Sequence, residues 1–438
     1  MESRSSVPTN ISNEFWQARP VLGRIRSAAH ARMLSGDAVL GAVLARVAVF
    51  SRHNLFLPAI VGTRQPLNLF VGLVAKPGDG KSCAATLAAE LFPIPSRDHD
   101  PTNLSKEVCE GVVNMHVPLG TGEGLVHTFF DMTGKQPVQN CFNILMIEDE
   151  IGRFKSLGNR GGSTMLPNLR SMWSGAKVGN TTASRGPTVA ALAYRASLIM
   201  SIQPKHAGWL LNDMGGTPDR FTWFSAYDLA TPDVTPNFDP RILWHPFHLA
   251  DPQVDADFSV DPTVADTIRS LARDRVRGVL DGEYAGHRAQ RILRIAAALA
   301  LLDKRRDITV DDWALARMVD DASEDTLRWM HQQLAERRHT NPTVPESEVN
   351  HRSEIHAAKI ESIAKLLRDH VPDSGTTRAP LRRSIHSRDR DWFDAAFDHA
   401  IANDMLIEDS DGSIRPTDSP LTSGQVDRRP PQEMQATG

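Results

Sequence analysis

Eight residues constrain this chain more than any other feature. Ala75-Lys76-Pro77-Gly78-Asp79-Gly80-Lys81-Ser82 follows directly on the apolar run Pro66–Ala75 and leads into the helix-favouring stretch Lys81–Leu91. A short apolar run that ends in a glycine-rich turn reads as a buried strand. Strand, glycine loop and helix in that order match a phosphate-binding loop of the form Ala/Gly-x4-Gly-Lys-Ser/Thr, with Ala75 in place of the first glycine. The glycines let backbone N–H groups wrap a β-phosphate, and the helix N-terminus adds its positive end. On this reading Gly78, Asp79, Gly80, Lys81, Ser82 and Cys83 hold ATP. Lys81 reaches the β- and γ-phosphates, and the Ser82 hydroxyl ligates Mg²⁺.

Such a loop needs a carboxylate for the metal, supplied from a neighbouring strand. The run Asn143–Ile147, followed by Glu148, Asp149 and Glu150, provides one. Asp149 is expected to hold the magnesium and Glu150 to polarise the attacking water. The competing reading of this segment is a strand that simply ends in an exposed acidic turn. Glu123, within Gly120–Gly124, is a rival for the water-activating role.

A third apolar run, Ala196–Ile202, ends at Gln203-Pro204, where an amide either touches the γ-phosphate and water or merely caps the strand. Arg220 precedes a further apolar stretch beginning at Phe221. A planar, always-charged guanidinium suits developing phosphoryl charge, and it equally suits a surface ion pair. Strands alternating with helices argue for a largely parallel sheet.

Around this segment, 1–13 is polar and read as disordered, 14–60 as helical, 61–230 as the α/β core, and the Pro/Asp-rich 231–260 as a linker or strap. Residues 261–335 read as a helical block. Asp261-Pro262 forms an N-cap with a first-turn proline, and Thr309–Asp312 caps the helix that carries Trp313. A second linker is expected over 336–352. Three helices and a hairpin over 353–417 spell a winged helix-turn-helix, and 418–438 reads as a disordered tail.

Charge and cysteine content exclude some classes. The 438 residues carry 49 Lys and Arg against 53 Asp and Glu, so any nucleic acid is held by local patches and not by a general positive field. Cys83, Cys109 and Cys141 are too few and too scattered for a disulfide scaffold or a zinc site. No apolar run approaches membrane-helix length and the first residues lack a signal-peptide core, so a cytoplasmic protein is expected, with no membrane partner.

The order of glycine loop, strand ending Asp149-Glu150, strand ending Gln203 and Arg220-Phe221 resembles AAA+ and superfamily 3 helicase-type ATPases. More closely, it resembles the helicase-like ATPases of bacterial phages, plasmids and integrated elements. The matching elements are Phe15-Trp16, Gly122–Leu125, Asp149-Glu150 and Ser201–Pro204, over roughly residues 14–335. The resemblance implies an AAA+-like α/β P-loop NTPase core with N-terminal helices, a helical lid and a C-terminal winged helix. It implies that Gln203 senses the γ-phosphate and that Arg220 reaches the nucleotide of the next subunit in a homo-oligomeric ring, expected to be a hexamer. Among Arg288, Arg291 and Arg294, either one reaches back to nucleotide or all form a solvated face. RecA-like ATPases would instead use a glutamate placed as Glu123 is.

For DNA, two patches are read from the residues. Lys177–Pro187, with Arg185, is either a pore hairpin or an ordinary loop. Arg378, Arg382, Arg383, Arg388 and Arg390 form a basic cluster, opposed by Asp391, Asp394, Asp398 and Asp404 on the third helix. The expected function is a Mg²⁺-dependent ATPase working on DNA, a replicative helicase or helicase-loader of a mobile element, with any primase a separate partner. The alternatives are a DNA-independent regulatory or defence ATPase whose C-terminal module binds protein, and a sequence-specific initiator that uses ATP to oligomerise.

Overall fold

The computed structural model describes residues 7–93, 113–117, 122–132, 136–149, 165–179, 187–213, 215–238, 254–279, 285–340, 360–372, 375–386, 393–403, 405–409 and 412–417. The chain is mixed α/β, about half helical, and divides into two units, Met1–Thr340 and Asn341–Gly438.

The first unit is organised on a five-stranded parallel sheet: β1 Phe70–Val74, β2 Val113–Val117, β3 Asn143–Glu148, β4 Arg195–Ile202 and β5 Phe221–Ser225, in the spatial order β2-β3-β4-β1-β5. Every residue of β1, β4 and β5 is buried, which is why these strands read as continuous apolar runs without alternation. Gly72 in β1 is needed for close approach: a Cβ there would lie 2.3 Å from the Trp223 ring of β5.

Helices α1 Asn13–Ala18, α2 Pro20–Ala31 and α3 Gly36–Phe50 precede the sheet. From Gly36 to Val49 α3 is buried all round, which explains its lack of a polar face. Ser35 starts it: its Oγ accepts from the Ala38 amide at 3.4 Å and donates to the Ser225 carbonyl at 2.8 Å, fixing the helix to the end of β5. Helix α4 Lys81–Leu91 follows the glycine loop, α5 spans Gly122–His127 and α6 spans Met165–Ser174.

The helical block comprises α7 Pro262–Val276, α8 Ala285–Leu302 and α9 Val310–Thr340. Both expected caps are present. Asp261 Oδ1 accepts from the Thr263 amide at 2.8 Å, and Asp312 Oδ2 accepts from the Thr309 amide and hydroxyl, each at 2.8 Å. The block does not fold apart: Ile295, Leu299 and Trp313 share one apolar core with α2, α3 and α4. Leu327, Trp329 and Met330 of α9 share the second core with β4 and β5.

Four expected boundaries are corrected. Of the segment 1–13 read as disordered, residues 7–13 are ordered: Ile11 is buried, its amide donates to Asp37 Oδ2 at 3.0 Å, and α1 already begins at Asn13. Within 14–60, read as helical, Leu55–Leu57 is a strand, too short to show a period. The stretch read as a linker, 231–260, ends in two short strands. Ala256–Asp257 pairs in parallel with Leu55–Leu57, and Ser259–Val260 with Asp307–Ile308. Two-residue strands are too short to show a period. The second linker begins later than 336, because α9 runs on to Thr340, first through Glu336, Arg337 and Arg338, which have good helix propensity. Residues 1–6, 341–352 and the tail 418–438 lie outside the described residues. Among those described, no helix is long and apolar enough to cross a membrane.

In the second unit, a helix over 360–370, α10 Arg378–Ser384 and α11 Phe393–Ala402 enclose Leu367, Leu381 and Phe397. The antiparallel hairpin Leu406–Glu408 with Ile414–Pro416 completes that core through Leu406 and Ile414. The three helices and hairpin expected from the sequence are therefore present.

Candidate functional site

The glycine loop joins β1 to α4 at the C-terminal edge of the sheet. Gly78 and Gly80 hold φ of 85° and 78°, a left-handed backbone open to glycine and strained for other residues. Lys81 is 8% exposed, and its Nζ donates to the carbonyls of Ala75 at 2.9 Å and Lys76 at 2.6 Å. Burial pulls its pKa below the usual lysine range, while Asp79 acts to raise it. The ammonium thus closes the loop on itself.

Two neighbouring strands deliver oxygens to the same edge. Ser82, the second residue of α4, donates from Oγ to Asp149 Oδ1 at 3.1 Å, and Ser201 Oγ of β4 donates to that same oxygen at 3.2 Å. Residues from three elements thereby converge beside the loop, and Asp149 remains exposed to solvent. Hydroxyl and carboxylate oxygens are the hard donors that magnesium takes. That ion typically needs only one or two carboxylates, the rest of its shell being water and phosphate. No group of three or more His, Cys, Asp or Glu gathers among the described residues. The Ser82 hydroxyl and the Asp149 carboxylate are oxygen donors of the kind magnesium takes.

Gln203 follows Ile202, whose carbonyl accepts from the Ala75 amide at 3.2 Å, so the half-buried Gln203 lies level with the start of the loop. Cys83 is exposed on α4. Glu123 falls in α5. Glu150 lies outside the described residues.

Tyr227, which the sequence reading passed over, latches the loop. Its hydroxyl accepts from the Lys76 amide at 3.1 Å and donates to Asp79 Oδ2 at 2.9 Å. Burial, reinforced by the Asp79 carboxylate, pushes its pKa up to about 12, so the phenol keeps its proton. The ring meets Trp329 of α9 edge-on, centroids 5.8 Å apart. The sequence carries no local signal for Tyr227, because it reaches the loop only through the pairing of β5 with β1.

Arg220 lies at the opposite edge of the sheet. It precedes Phe221, which pairs with Phe70 at the start of β1, whereas the loop follows Val74 at its end. Its Nη1 donates to Gly216 O at 2.5 Å and Gly215 O at 3.2 Å, and its guanidinium lies over Trp173 at 5.7 Å. Burial, with the nearby Arg170, lowers its pKa.

The arginines of α8 gather on that far side too. Arg291 pairs with Asp320 at 2.6 Å and with Glu324, and donates to Asp219 O at 3.0 Å. Arg288 pairs with Asp320 at 2.7 Å and Asp321 at 2.6 Å. Arg294 is fully buried, 3.6 Å above the Trp173 ring. Arg291 and Arg294 are therefore neither a solvated face nor within reach of their own glycine loop. They tie α8 to α9 and α6.

Lys177 is exposed next to Val178, which bridges Val189 in antiparallel fashion; Arg185 is outside the described residues. In the second unit Arg378 is bound by Glu408 at 2.8 and 2.9 Å, and Arg382 lies 5.7 Å from the Phe393 ring. Asp398 is exposed on α11, while Arg388, Arg390, Asp391 and Asp404 lie outside the described residues. Compared with models of known protein families and with curated proteins, the chain matches none.

Proposed function

We propose that this chain is a Mg²⁺-dependent ATPase built on a P-loop core, with α7–α9 as its helical lid and the second unit as a winged helix. The observation that carries the reading is the Ser82–Asp149 contact. It joins the residue after the loop lysine to a carboxylate at the end of another strand, beside two left-handed glycines. In this reading the loop amides and the N-terminus of α4 bind the phosphates. Lys81 exchanges its two carbonyl partners for phosphate oxygens, so that an ammonium facing neutral acceptors comes to face anionic ones. Ser82 and Asp149 hold magnesium, which when bound neutralises charge on the phosphates. Glu150 polarises water, and Gln203 orients it. Arg220, remote from its own loop, acts on the nucleotide of a neighbouring copy.

The hydrolysis is coupled to work on DNA, in the manner of a mobile-element helicase or helicase-loader. Exposed Lys177, next to the Val178–Val189 bridge, is the described cation that this reading assigns to DNA. A second reading, a DNA-independent regulatory ATPase whose C-terminal unit binds protein, is favoured by the Arg378–Glu408 pair and exposed Asp398, which cut the positive charge of that unit. The test is ATP turnover with and without single-stranded DNA, followed by strand displacement on a forked duplex. Magnesium-dependent turnover that rises with DNA is expected. Turnover indifferent to DNA selects the second reading, and absence of turnover overturns both.

A further inference from the structure

A cleft of about 520 Å³ opens beside Gly78, Asp79 and Gly80. Its other walls are the turn between α2 and α3, at Met33-Leu34, and the segment after β5, at Tyr227–Leu229. The cleft is shallow and open to solvent. Leu34 joins the cleft to the loop, since a Cβ on Gly80 would come within 2.8 Å of its Cδ2.

Two large apolar side chains at this cleft are left in water. Met33 is 63% exposed and Leu229 78%. Met33 also holds φ of 54°, a left-handed backbone rare for a side chain of its kind. The turn thus presents it and does not tuck it away. The two walls are tied together by Asp228. Its Oδ2 accepts from His30 Nε2 at 3.0 Å and from the Gly36 amide at 3.1 Å, and its Oδ1 accepts from the Ala230 amide at 2.9 Å. Asn10 adds a second tie, donating to the Tyr227 carbonyl at 2.7 Å and to Asp37 at 3.0 Å. The apolar rims are therefore held in place before any ligand arrives, which lowers the ordering cost of binding.

We propose that this cleft receives the base of the nucleoside triphosphate whose phosphates the glycine loop holds, with Met33 and Leu229 supplying the apolar contact. The inference rests on the nucleotide reading of the loop. A flat heteroaromatic base removes both side chains from water, and the thioether of methionine is a favourable partner for an aromatic ring.

The test compares ATP with tripolyphosphate, which carries the phosphates and lacks the base, by calorimetric titration of the full chain. The variant is Met33→Asn combined with Leu229→Ser; asparagine tolerates the left-handed backbone, and both positions are exposed, so the fold is kept. Val276→Ser, exposed and remote in sequence on α7, is the control. The double variant is expected to weaken ATP roughly tenfold and leave tripolyphosphate unchanged, with the control matching wild type. Unchanged ATP affinity, or equal weakening of both ligands, overturns the base site while leaving the loop reading intact. Wild-type protein that binds neither ligand overturns the loop reading, and the base site with it.

Discussion

Arg220 and Lys81 stand at opposite ends of one pair of strands. Phe221, adjoining Arg220, lies across from Phe70, and Ser225 lies across from Val74, beyond which the loop leads to Lys81. Five paired residues separate the two edges by roughly 13 Å of strand. Arg220 therefore serves a nucleotide only if that nucleotide belongs to another copy.

Mixing tests this directly. Arg220→Ala protein should hydrolyse ATP at about 0.1% of the wild-type rate or less, because an arginine supplied in trans is worth ~10³–10⁵ in rate, and Lys81→Ala protein, without the loop ammonium for the β- and γ-phosphates, should be nearly inactive as well. Co-assembled, some interfaces pair an intact loop with an intact arginine, and turnover partly returns. No recovery from proteins shown to co-assemble removes Arg220 from catalysis in trans.

Binding and turnover should separate at the loop. Lys81→Ala should lose nucleotide affinity as well as activity, since in the proposed site the ammonium faces the phosphates in ground and transition state alike. Glu150→Gln keeps affinity and loses turnover. A Glu150→Gln protein with normal turnover, alongside an inactive Glu123→Gln, moves the water-activating role to Glu123.

Tyr227→Phe removes only the hydroxyl that joins the Lys76 amide to Asp79. The ring and its contact with Trp329 stay, so the melting temperature should change by no more than a few degrees. Two hydrogen bonds of about 1 kcal/mol each no longer order the loop, and ATP affinity should fall between about fivefold and thirtyfold. Titration with ATP against a parallel melt checks both statements.

How far these features were legible in the sequence follows from the range of the interactions that make them. Ala75–Ser82 announces itself because local backbone geometry demands glycines and the motif is contiguous. Asp149 is legible because a buried strand has to end somewhere, and an acidic residue marks where. Tyr227 and Leu229 carry no local signal, since they meet the loop only through the placement of β5 beside β1, and Met33 carries none because it comes there through the turn between α2 and α3. The strands Ala256–Asp257 and Ser259–Val260 escaped for another reason: two residues cannot display a period. Arg291 and Arg294 read as one face of a helix, but which face is covered depends on Asp320 and Glu324 of α9 and on Trp173 of α6.

Asp37 supplies a pH signature independent of nucleotide. It is 3% exposed in the first turn of α3. Burial pushes its carboxyl up to about 7, with the neighbouring Asp228 adding to the rise; the bonds from Asn10 and the Ile11 amide, and Arg26, oppose it. Because the folded value exceeds the unfolded one, the native state binds the proton more tightly. The resulting stabilisation is complete below the unfolded value near 4 and declines as pH rises, until it is lost above about 7. Asp37→Asn removes this titration, and its amide oxygen can still accept from Ile11. The stability of the variant relative to wild type should therefore climb between about pH 4 and pH 7, by at most about 1.4 kcal/mol per pH unit, and then level off. Urea unfolding of both proteins at pH 5, 6, 7 and 8 measures that difference. A difference that stays flat across this window shows that Asp37 is ionised in the native state throughout, and that Asn10 and the Ile11 amide outweigh its burial.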